Sequence, residues 1–274
     1  MLNKIIVVIA LLAILLMVAM FIGEMVTESQ LKKDVKTLFS LSQNISNKTY
    51  SSGQLEQLPE PVRRYFRYSL QENQSYISYV RLMHDGKFRI KPGQKWMTIK
   101  GEEYFTTEKP NFVWFGKVPM FSAMDTYMDG KGNLKVKLLS LIKIVDAKGK
   151  EIDQGELLRW LGEALWFPTA LLPSENLRWE EVDENSARVI LEDGDISVEG
   201  TFYFNQQGQI IQFKAKRFKD GVLENWSGFY HDYREVEGMK VPMHVEVIWN
   251  LESGDFKYVD FTVKKIEYDV PIKF

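Results

Sequence analysis

The chain has 274 residues, of which 45% are hydrophobic and 26% are charged, and its formal net charge is −2. This composition is typical of a globular protein. It excludes a disordered chain, and it lacks the basic excess of a general nucleic-acid binder. Because the chain contains no cysteine, disulfides, thiolate metal sites, iron–sulfur clusters and cysteine nucleophiles are also excluded.

The N-terminus predicts a transmembrane anchor. After a short tail, residues 1–4, residues 5–23 form a run of 19 uncharged, mostly apolar residues. As a helix this run spans roughly 28 Å, which matches the hydrocarbon core of a bilayer. The alternative is a cleaved signal peptide, whose apolar region is shorter and is followed by a small-x-small cleavage site. Met25-Val26-Thr27 provides no such site, so we expect an uncleaved single-pass anchor.

The charges that flank the anchor favour one orientation. Lys4 precedes the apolar run, and Glu24 and Glu28 follow it. Positive charge is enriched on the cytoplasmic side of a membrane, so we expect a cytoplasmic N-terminus and a C-terminal domain outside the cytoplasm. Three lysines just beyond the run weaken this bias: Lys32, Lys33 and Lys36.

Residues 24–57 are expected to form a stalk helix and a linker. Leu31, Val35, Leu38 and Phe39 recur at helical spacing, which predicts a short amphipathic helix. Residues 42–57 are polar and are typical of a linker. Residues 58–274 are then one β-rich domain.

The domain begins with a predicted helix over residues 62–70, and the hydrophobic period then changes from 3.6 to 2. A second helix is predicted over residues 154–166 and ends before Pro168. Strands are predicted over residues 76–90, 95–104, 111–118, 123–128, 134–145, 177–182, 186–191, 196–204, 210–216, 223–236, 239–250 and 256–269. We therefore predict a mainly β (α+β) fold: one large curved antiparallel sheet or half-barrel of about a dozen strands, with a few covering helices.

The helix over 154–166 carries a polar stripe. Glu156, Arg159 and Glu163 share one face, and Trp160 and Trp166 flank it. One interpretation is a pair of carboxylates held by an arginine at a cleft, where either could act as a general acid or base. The other is a salt-bridge ladder on a solvated helix face.

Large apolar side chains crowd residues 112–128, which include Trp114, Phe121, Met124 and Tyr127. They form either a pliable wall for an apolar ligand or a strand pair that is buried on both faces. The three histidines, His84, His231 and His244, are far apart in sequence, and no metal site is expected from them. The chain has no nucleotide-binding, metalloprotease or EF-hand motif and no nucleophile elbow of the α/β-hydrolases, so no sequence motif indicates a particular reaction.

The joint order of several motifs resembles an uncharacterised family of domains of unknown function, numbered 6544 and 6920. The resemblance covers nearly all of residues 58–269, and it implies little chemistry. It draws attention to Glu156, Arg159, Glu163, Trp166 and Thr169, which occupy motif positions. The motifs are Leu58-Pro59-x-Pro61-Val62-Arg63-Arg64-Tyr65, Phe112-Val113-Trp114, Asp125-x-Tyr127, residues 155–173, Asp232-Tyr233-Arg234 and Gly238-x-x-Val241-Pro242.

A second resemblance lies in the order of the elements. Helix, strands, helix and strands in one curled sheet are similar to the bacterial lipoprotein-carrier fold, which holds acyl chains between its sheet and its helices. This is an architectural analogy, and it carries no residue roles.

The sequence favours a membrane-anchored, non-catalytic module that binds an apolar, lipid-like ligand in a β-sheet cleft, with Arg159 as a clamp for a head group. Two alternatives stay open: an extracytoplasmic hydrolase that uses Glu156 or Glu163, and a structural partner-binding module. No cofactor, metal or nucleic acid is expected, and the ligand and the oligomeric state stay open. The candidate binding residues are Trp114, Phe121, Met124, Tyr127, Glu156, Arg159, Glu163, Trp166, Thr169 and Trp249.

Overall fold

The computed structural model describes residues 2–42 and 44–274, within which the chain forms three α-helices, short 3-10 turns and thirteen β-strands. Two residues of the predicted segments, residue 1 of the tail and Gln43 of the linker, lie outside the described residues.

The predicted anchor and the predicted stalk helix form one continuous helix, α1 (Leu2–Ser40). Its 39 residues extend roughly 58 Å at 1.5 Å per residue. The apolar side chains of the first half stand clear of the domain and are largely exposed. In the second half Leu31, Val35 and Leu38 are at most 1% exposed, so this half belongs to the packed domain.

The first half of the domain contains α2 (Glu60–Ser69) and a meander of six strands. The single strand predicted over residues 134–145 is wrong, because Leu139 and Ser140 adopt left-handed φ angles of 51° and 60° and form a turn. The six strands are β1 (Tyr79–Phe88), β2 (Met97–Thr106), β3 (Asn111–Lys117), β4 (Phe121–Met128), β5 (Lys131–Leu138) and β6 (Ile142–Ala147).

The second half begins with α3 (Lys150–Glu163), which continues into 3-10 turns over Ala164–Trp166 and Pro168–Leu171. A meander of seven strands follows. These are β7 (Leu177–Asp183), β8 (Ser186–Asp193), β9 (Ile196–Phe204), β10 (Ile210–Lys219), β11 (Val222–Val236), β12 (Met239–Leu251) and β13 (Gly254–Tyr268).

All thirteen strands form one antiparallel sheet, because β1 pairs with β13 and joins the two meanders. The strand order leaves β6 and β7 at the edges. The sheet curls around α3, which packs against β3, β4 and β5 on one side and against β9 and β10 on the other. Tyr127 of β4 also donates a hydrogen bond to Asp193, at the start of the β8–β9 turn (2.7 Å). The predicted mainly β fold with a curved antiparallel sheet is therefore confirmed.

The sheet has a packed core on its inner face and a smaller one on part of its outer face. The inner face holds the main core together with α2, α3 and the 3-10 turns. The outer face of β1–β4 holds a smaller core against the second half of α1. The residues of this outer core are Leu31, Val35, Leu38, Phe39, Tyr79, Tyr104, Val113 and Met124.

Candidate functional site

A cluster of charged side chains lies buried between α3 and the inner face of the sheet. Arg159 stands at its centre and forms three ion pairs: Nε with Glu163 (2.9 Å), Nη1 with Asp125 (2.7 Å) and Nη2 with Glu103 (2.8 Å). Because these pairs join α3 to β2 and β4, they fix the helix against the sheet. We call this set, with Glu156 and Arg217, the charge cluster.

Aromatic rings enclose the guanidinium of Arg159. Its carbon lies 5.0 Å from the ring centre of Phe112 and 4.9 Å from that of Trp114, which are cation–π distances. Trp114 donates its indole N–H to Nε2 of His84 (2.8 Å). Burial, followed by the charge of Arg159, lowers the pKa of His84 to about 3. The imidazole is therefore neutral and acts as an acceptor at neutral pH.

Glu156 and Arg217 form the second part of the cluster, with 3.2 Å between Glu156 Oε1 and Arg217 Nη2. Oδ1 of Asp125 and Oε2 of Glu156 are buried, and neither has a hydrogen-bond partner among the described residues. Four carboxyl groups thus face two guanidinium groups in an apolar interior. Unbalanced buried charge is costly, so the cluster must take up protons to persist.

The pKa values show where these protons reside. Burial, and next the charge of Glu163, raises the pKa of Glu103 well above its usual range. Glu103 therefore holds the first proton, and Oε2 of Glu163 is buried without a hydrogen-bond partner among the described residues. Two effects raise the pKa of Glu156 to about 7: burial is the larger one, and the negative charge of Asp125 is the second. The second proton is therefore lost near neutral pH.

A separate cavity lies where the sheet splits between β9 and β10. The β9–β10 ladder ends at Gly200 and Ala215, beyond which β9 continues only along β8 and β10 only along β11. The gap between the diverging strands opens onto α3 and holds a cavity of about 430 Å³. This volume lies within the range of about 300–1,000 Å³ that is usual for small-molecule sites.

The cavity is lined by buried apolar residues, which we call its floor, and by exposed charged residues, which we call its rim. Leu158 of α3, with Val198, Ala215 and Leu223 of the strands, supplies apolar surface, and Gln154, Ser197, Thr201 and Asn225 supply polar groups. Lys214 and Lys216 stand at the rim and form no ion pair with any described residue. Arg188 and Glu199 also stand at the rim, and Arg188 is already paired with Glu180 and with Glu199. The cavity is therefore suited to a molecule with an apolar body and an anionic end.

The structure brings together three of the ten predicted binding residues as a polar site. Glu156, Arg159 and Glu163 meet in the charge cluster, with Trp114 above Arg159. The polar stripe of α3 therefore neither opens into a cleft nor forms a salt-bridge ladder on a solvated helix face, because carboxylates from the strands cover it. None of the ten residues, all of which the structure describes, lines the cavity between β9 and β10.

The other predicted residues have structural contacts. Trp166 donates to the carbonyl of Pro242 (2.9 Å), and the hydroxyl of Thr169 accepts from the amide of Ile77 (3.1 Å). Tyr127, Phe121 and Trp249 pack into the inner core. Met124 lies on the outer face against α1, so the structure does not place it in one ligand-binding wall with Trp114. Neighbouring residues of a strand point to opposite faces, and Met124 precedes the inward-facing Asp125.

The sequence reasoning missed the charged partners Glu103, Asp125 and Arg217. Strand alternation was the available signal, because Glu103 falls on the same face as the apolar Ile99 and Phe105. A carboxylate in phase with buried residues needs a cation. The cavity residues gave no such signal, because the split of the sheet depends on where one ladder ends.

His244, Glu246 and Asp260 offer ligand atoms within 4.8 Å of one another on the outer face of β12 and β13. Lys257 forms ion pairs with both carboxylates, at 2.6 Å to Glu246 and 3.6 Å to Asp260. The lysine already balances the charge of this group.

Both the sequence and the fold of this chain are similar to known proteins. The family model described as a family of unknown function (DUF6544) matches residues 48–261, as the motif order predicts. No curated protein matches the sequence.

Among solved structures, a LolA superfamily protein from Nitrosomonas europaea is similar, with a TM-score of 0.42 and 13% identity over 76% of this chain and 91% of that one. A lipoprotein-sorting domain from Vibrio parahaemolyticus has a TM-score of 0.41 and 7% identity over 72% and 87%. A DUF1329 family protein from Desulfovibrio piger has a TM-score of 0.41 and 11% identity over 72% and 88%.

Proposed function

The chain belongs to DUF6544, a family of unknown function, and we propose that it is a membrane-anchored, non-catalytic module that binds a small amphiphilic molecule. The observation that carries this proposal is the cavity of about 430 Å³ between α3, β9 and β10. Its apolar floor takes the hydrocarbon part of the ligand, where each buried methylene contributes about 0.8 kcal/mol. The ammonium groups of Lys214 and Lys216 hold the anionic end.

We assign the binding of the head group to these lysines and no longer to Arg159. All three nitrogen positions of Arg159 are occupied by carboxylates. Bringing a head group to Arg159 would break a buried ion pair and leave a carboxylate unpaired. Lys214 and Lys216 are exposed, so they bind an anion without that cost.

Anchoring is supported by α1. The helix runs unbroken through residue 23, where a signal peptide would end, and its second half is buried against β1–β4. The apolar half is long enough to cross a bilayer. With Lys4 before this half and Glu24 after it, we propose that the domain lies outside the cytoplasm.

The hydrolase alternative requires an accessible carboxylate. Glu156, with a pKa of about 7, has the protonation behaviour of a general base. Yet it is 3% exposed, and it lies across α3 from Gln154 and Leu158, the helix residues that line the cavity. A substrate in the cavity would not reach it, so the geometry favours binding over hydrolysis.

Native mass spectrometry of the full chain, released from detergent micelles after incubation with palmitate or a lysophospholipid, tests the binding proposal. We expect one molecule bound per chain. Ala215→Trp places an indole in the cavity and removes the bound mass, whereas Ala147→Trp, in the edge strand β6, retains it. A wild-type chain that stays free of both lipids contradicts the proposal.

A further inference from the structure

We propose that the hairpin of β5 and β6, with the β3–β4 turn, is a second membrane contact that rests in the interface of the bilayer crossed by α1. The inference builds on the proposed anchoring, and its partner is the lipid surface itself. Five exposed apolar residues form this hairpin patch: Met120, Leu141, Ile142, Ile144 and Val145.

The position of the patch relative to α1 supports this assignment. Gly23 is the last residue of the uncharged run and lies against the hairpin turn. A Cβ at Gly23 would come within 2.7 Å of the carbonyl oxygen of Ser140 and 2.9 Å of Leu141. One residue further along α1, Glu24 forms an ion pair with Lys117 (2.7 Å). The turn therefore lies at the level where the apolar run of α1 ends, which is the boundary of the bilayer.

The two turns that carry the patch are joined. The amide of Leu139 donates to the carbonyl of Met120 (2.7 Å). Lys137 of β5 also donates to the hydroxyl of Thr27 on α1 (3.0 Å). Since α1 fixes both turns in place, insertion of their side chains requires no rearrangement of the domain.

The exposure of the hairpin patch indicates that another surface packs against it. Strand β6 is an edge of the sheet, and Ile142 and Ile144 are 58% and 50% exposed. Single exposed apolar residues are ordinary, but a contiguous apolar edge invites association. An interfacial position covers it, because apolar side chains there sink about 5–10 Å into the boundary between head groups and acyl chains.

The local charge identifies the cover as an anionic lipid surface. Within six residues of the Leu139–Ser140 turn the hairpin carries three lysines, Lys135, Lys137 and Lys143, and one acidic residue, Asp146, whereas the whole chain has a net charge of −2. Basic residues beside an interfacial apolar group are attracted to anionic head groups. A neutral protein partner would gain nothing from this charge.

Because the chain has no cysteine, single-cysteine variants of the full chain test the proposal directly. A nitrobenzoxadiazole probe is placed at Ile142→Cys, with Val182→Cys on the opposite edge strand as the matched exposed control (54% exposed) and Ile14→Cys within the apolar run. The proteins are reconstituted into vesicles of phosphatidylcholine and phosphatidylglycerol, with either a lipid-borne quencher or aqueous iodide.

We expect the probe at 142 to shift its emission to the blue, to lose fluorescence to the lipid-borne quencher and to resist iodide. The probe at 182 should show the reverse. If the probe at 14 is quenched from the lipid while 142 behaves like 182, the inference fails and anchoring stands. If the probe at 14 also resists the lipid quencher, the anchoring proposal itself fails.

A variant that introduces a carboxylate into the patch tests whether its apolar side chains enter the lipid. With the probe at Met120→Cys, adding Ile142→Asp should reduce quenching from the lipid, because a carboxylate is repelled from anionic head groups. Val182→Asp should leave the signal at 120 unchanged. Equal quenching with and without Ile142→Asp would overturn the assignment of the patch.

Discussion

At the scale of single residues, the charge cluster is the most constrained part of the molecule. Arg159 serves three carboxylates, and Arg217 serves Glu156. Buried ion pairs of this kind contribute little net stability, but the loss of one partner is costly because it leaves an uncompensated charge. The cluster therefore acts as a lock between α3 and the sheet, whose strength depends on its protons.

The pKa of Glu156 predicts how stability changes with pH. Its pKa is raised from 4.5 to about 7 in the folded chain by burial and by Asp125, against the opposing charges of Arg217 and Arg159. A raised pKa stabilises the fold fully below the unfolded value, and this stabilisation disappears as pH rises through the folded value. The full contribution is about 3 kcal/mol. Glu156→Gln should remove this pH dependence, since a neutral amide resembles the protonated carboxyl and does not titrate.

Denaturant unfolding of the full chain in micelles at several pH values between 4.5 and 8 measures this effect. The wild type should lose more stability over that range than Glu156→Gln, whereas Glu181→Gln, at an exposed position of β7, should follow the wild type. Parallel curves for the wild type and Glu156→Gln would show that Glu156 does not hold the titrating proton.

The sequence predicted one side of the cluster but not the other. Glu156, Arg159 and Glu163 are neighbours along one helix, so helical periodicity identifies their common face. Glu103, Asp125 and Arg217 reach this face from three different strands. Their meeting point depends on how the sheet curls, which no local pattern specifies.

At the scale of elements, alternation located most strands because each has one packed face. The exception is the hairpin of β5 and β6. Hairpin turns with two left-handed residues usually contain glycine or asparagine, and here the positions are held by Leu139 and Ser140. Residues 134–145 therefore look like one uninterrupted apolar strand, which explains the missed turn.

This turn carries strain that substitution should release. A left-handed conformation costs an ordinary L-residue about 1–2 kcal/mol, whereas asparagine and glycine tolerate it. The double variant Leu139→Asn/Ser140→Gly should raise the free energy of unfolding by about 1–2 kcal/mol, as measured by the denaturant midpoint in micelles. Leu138→Asn, in the regular strand, should give no gain. An unchanged midpoint would mean that packing of Leu139 outweighs the cost of its backbone.

At the scale of the whole molecule, α1 combines two functions in one helix. Its first half is exposed apolar surface, and its second half completes the outer core of β1–β4. The sequence shows both the apolar run and the amphipathic stripe. It does not show that one helix joins them, because the polar residues between them are equally compatible with a loop. If the first half crosses a bilayer as we propose, one continuous helix of this kind fixes the distance and the orientation of the sheet relative to that bilayer.

Two truncations should separate the two halves of α1. A chain that starts at Met25 keeps Leu31, Val35 and Leu38 against the sheet, so in detergent micelles, which cover the hairpin patch, it should be monomeric in size-exclusion chromatography and unfold cooperatively. A chain that starts at Asn44 uncovers the outer faces of β1–β4, including Tyr104, and forfeits about 2 kcal/mol for each large apolar side chain that was buried there. It should therefore associate and unfold at a lower denaturant concentration. If the shorter chain instead stays monomeric with the same midpoint, the second half of α1 is only a tether, and it does not hold the sheet in a fixed orientation.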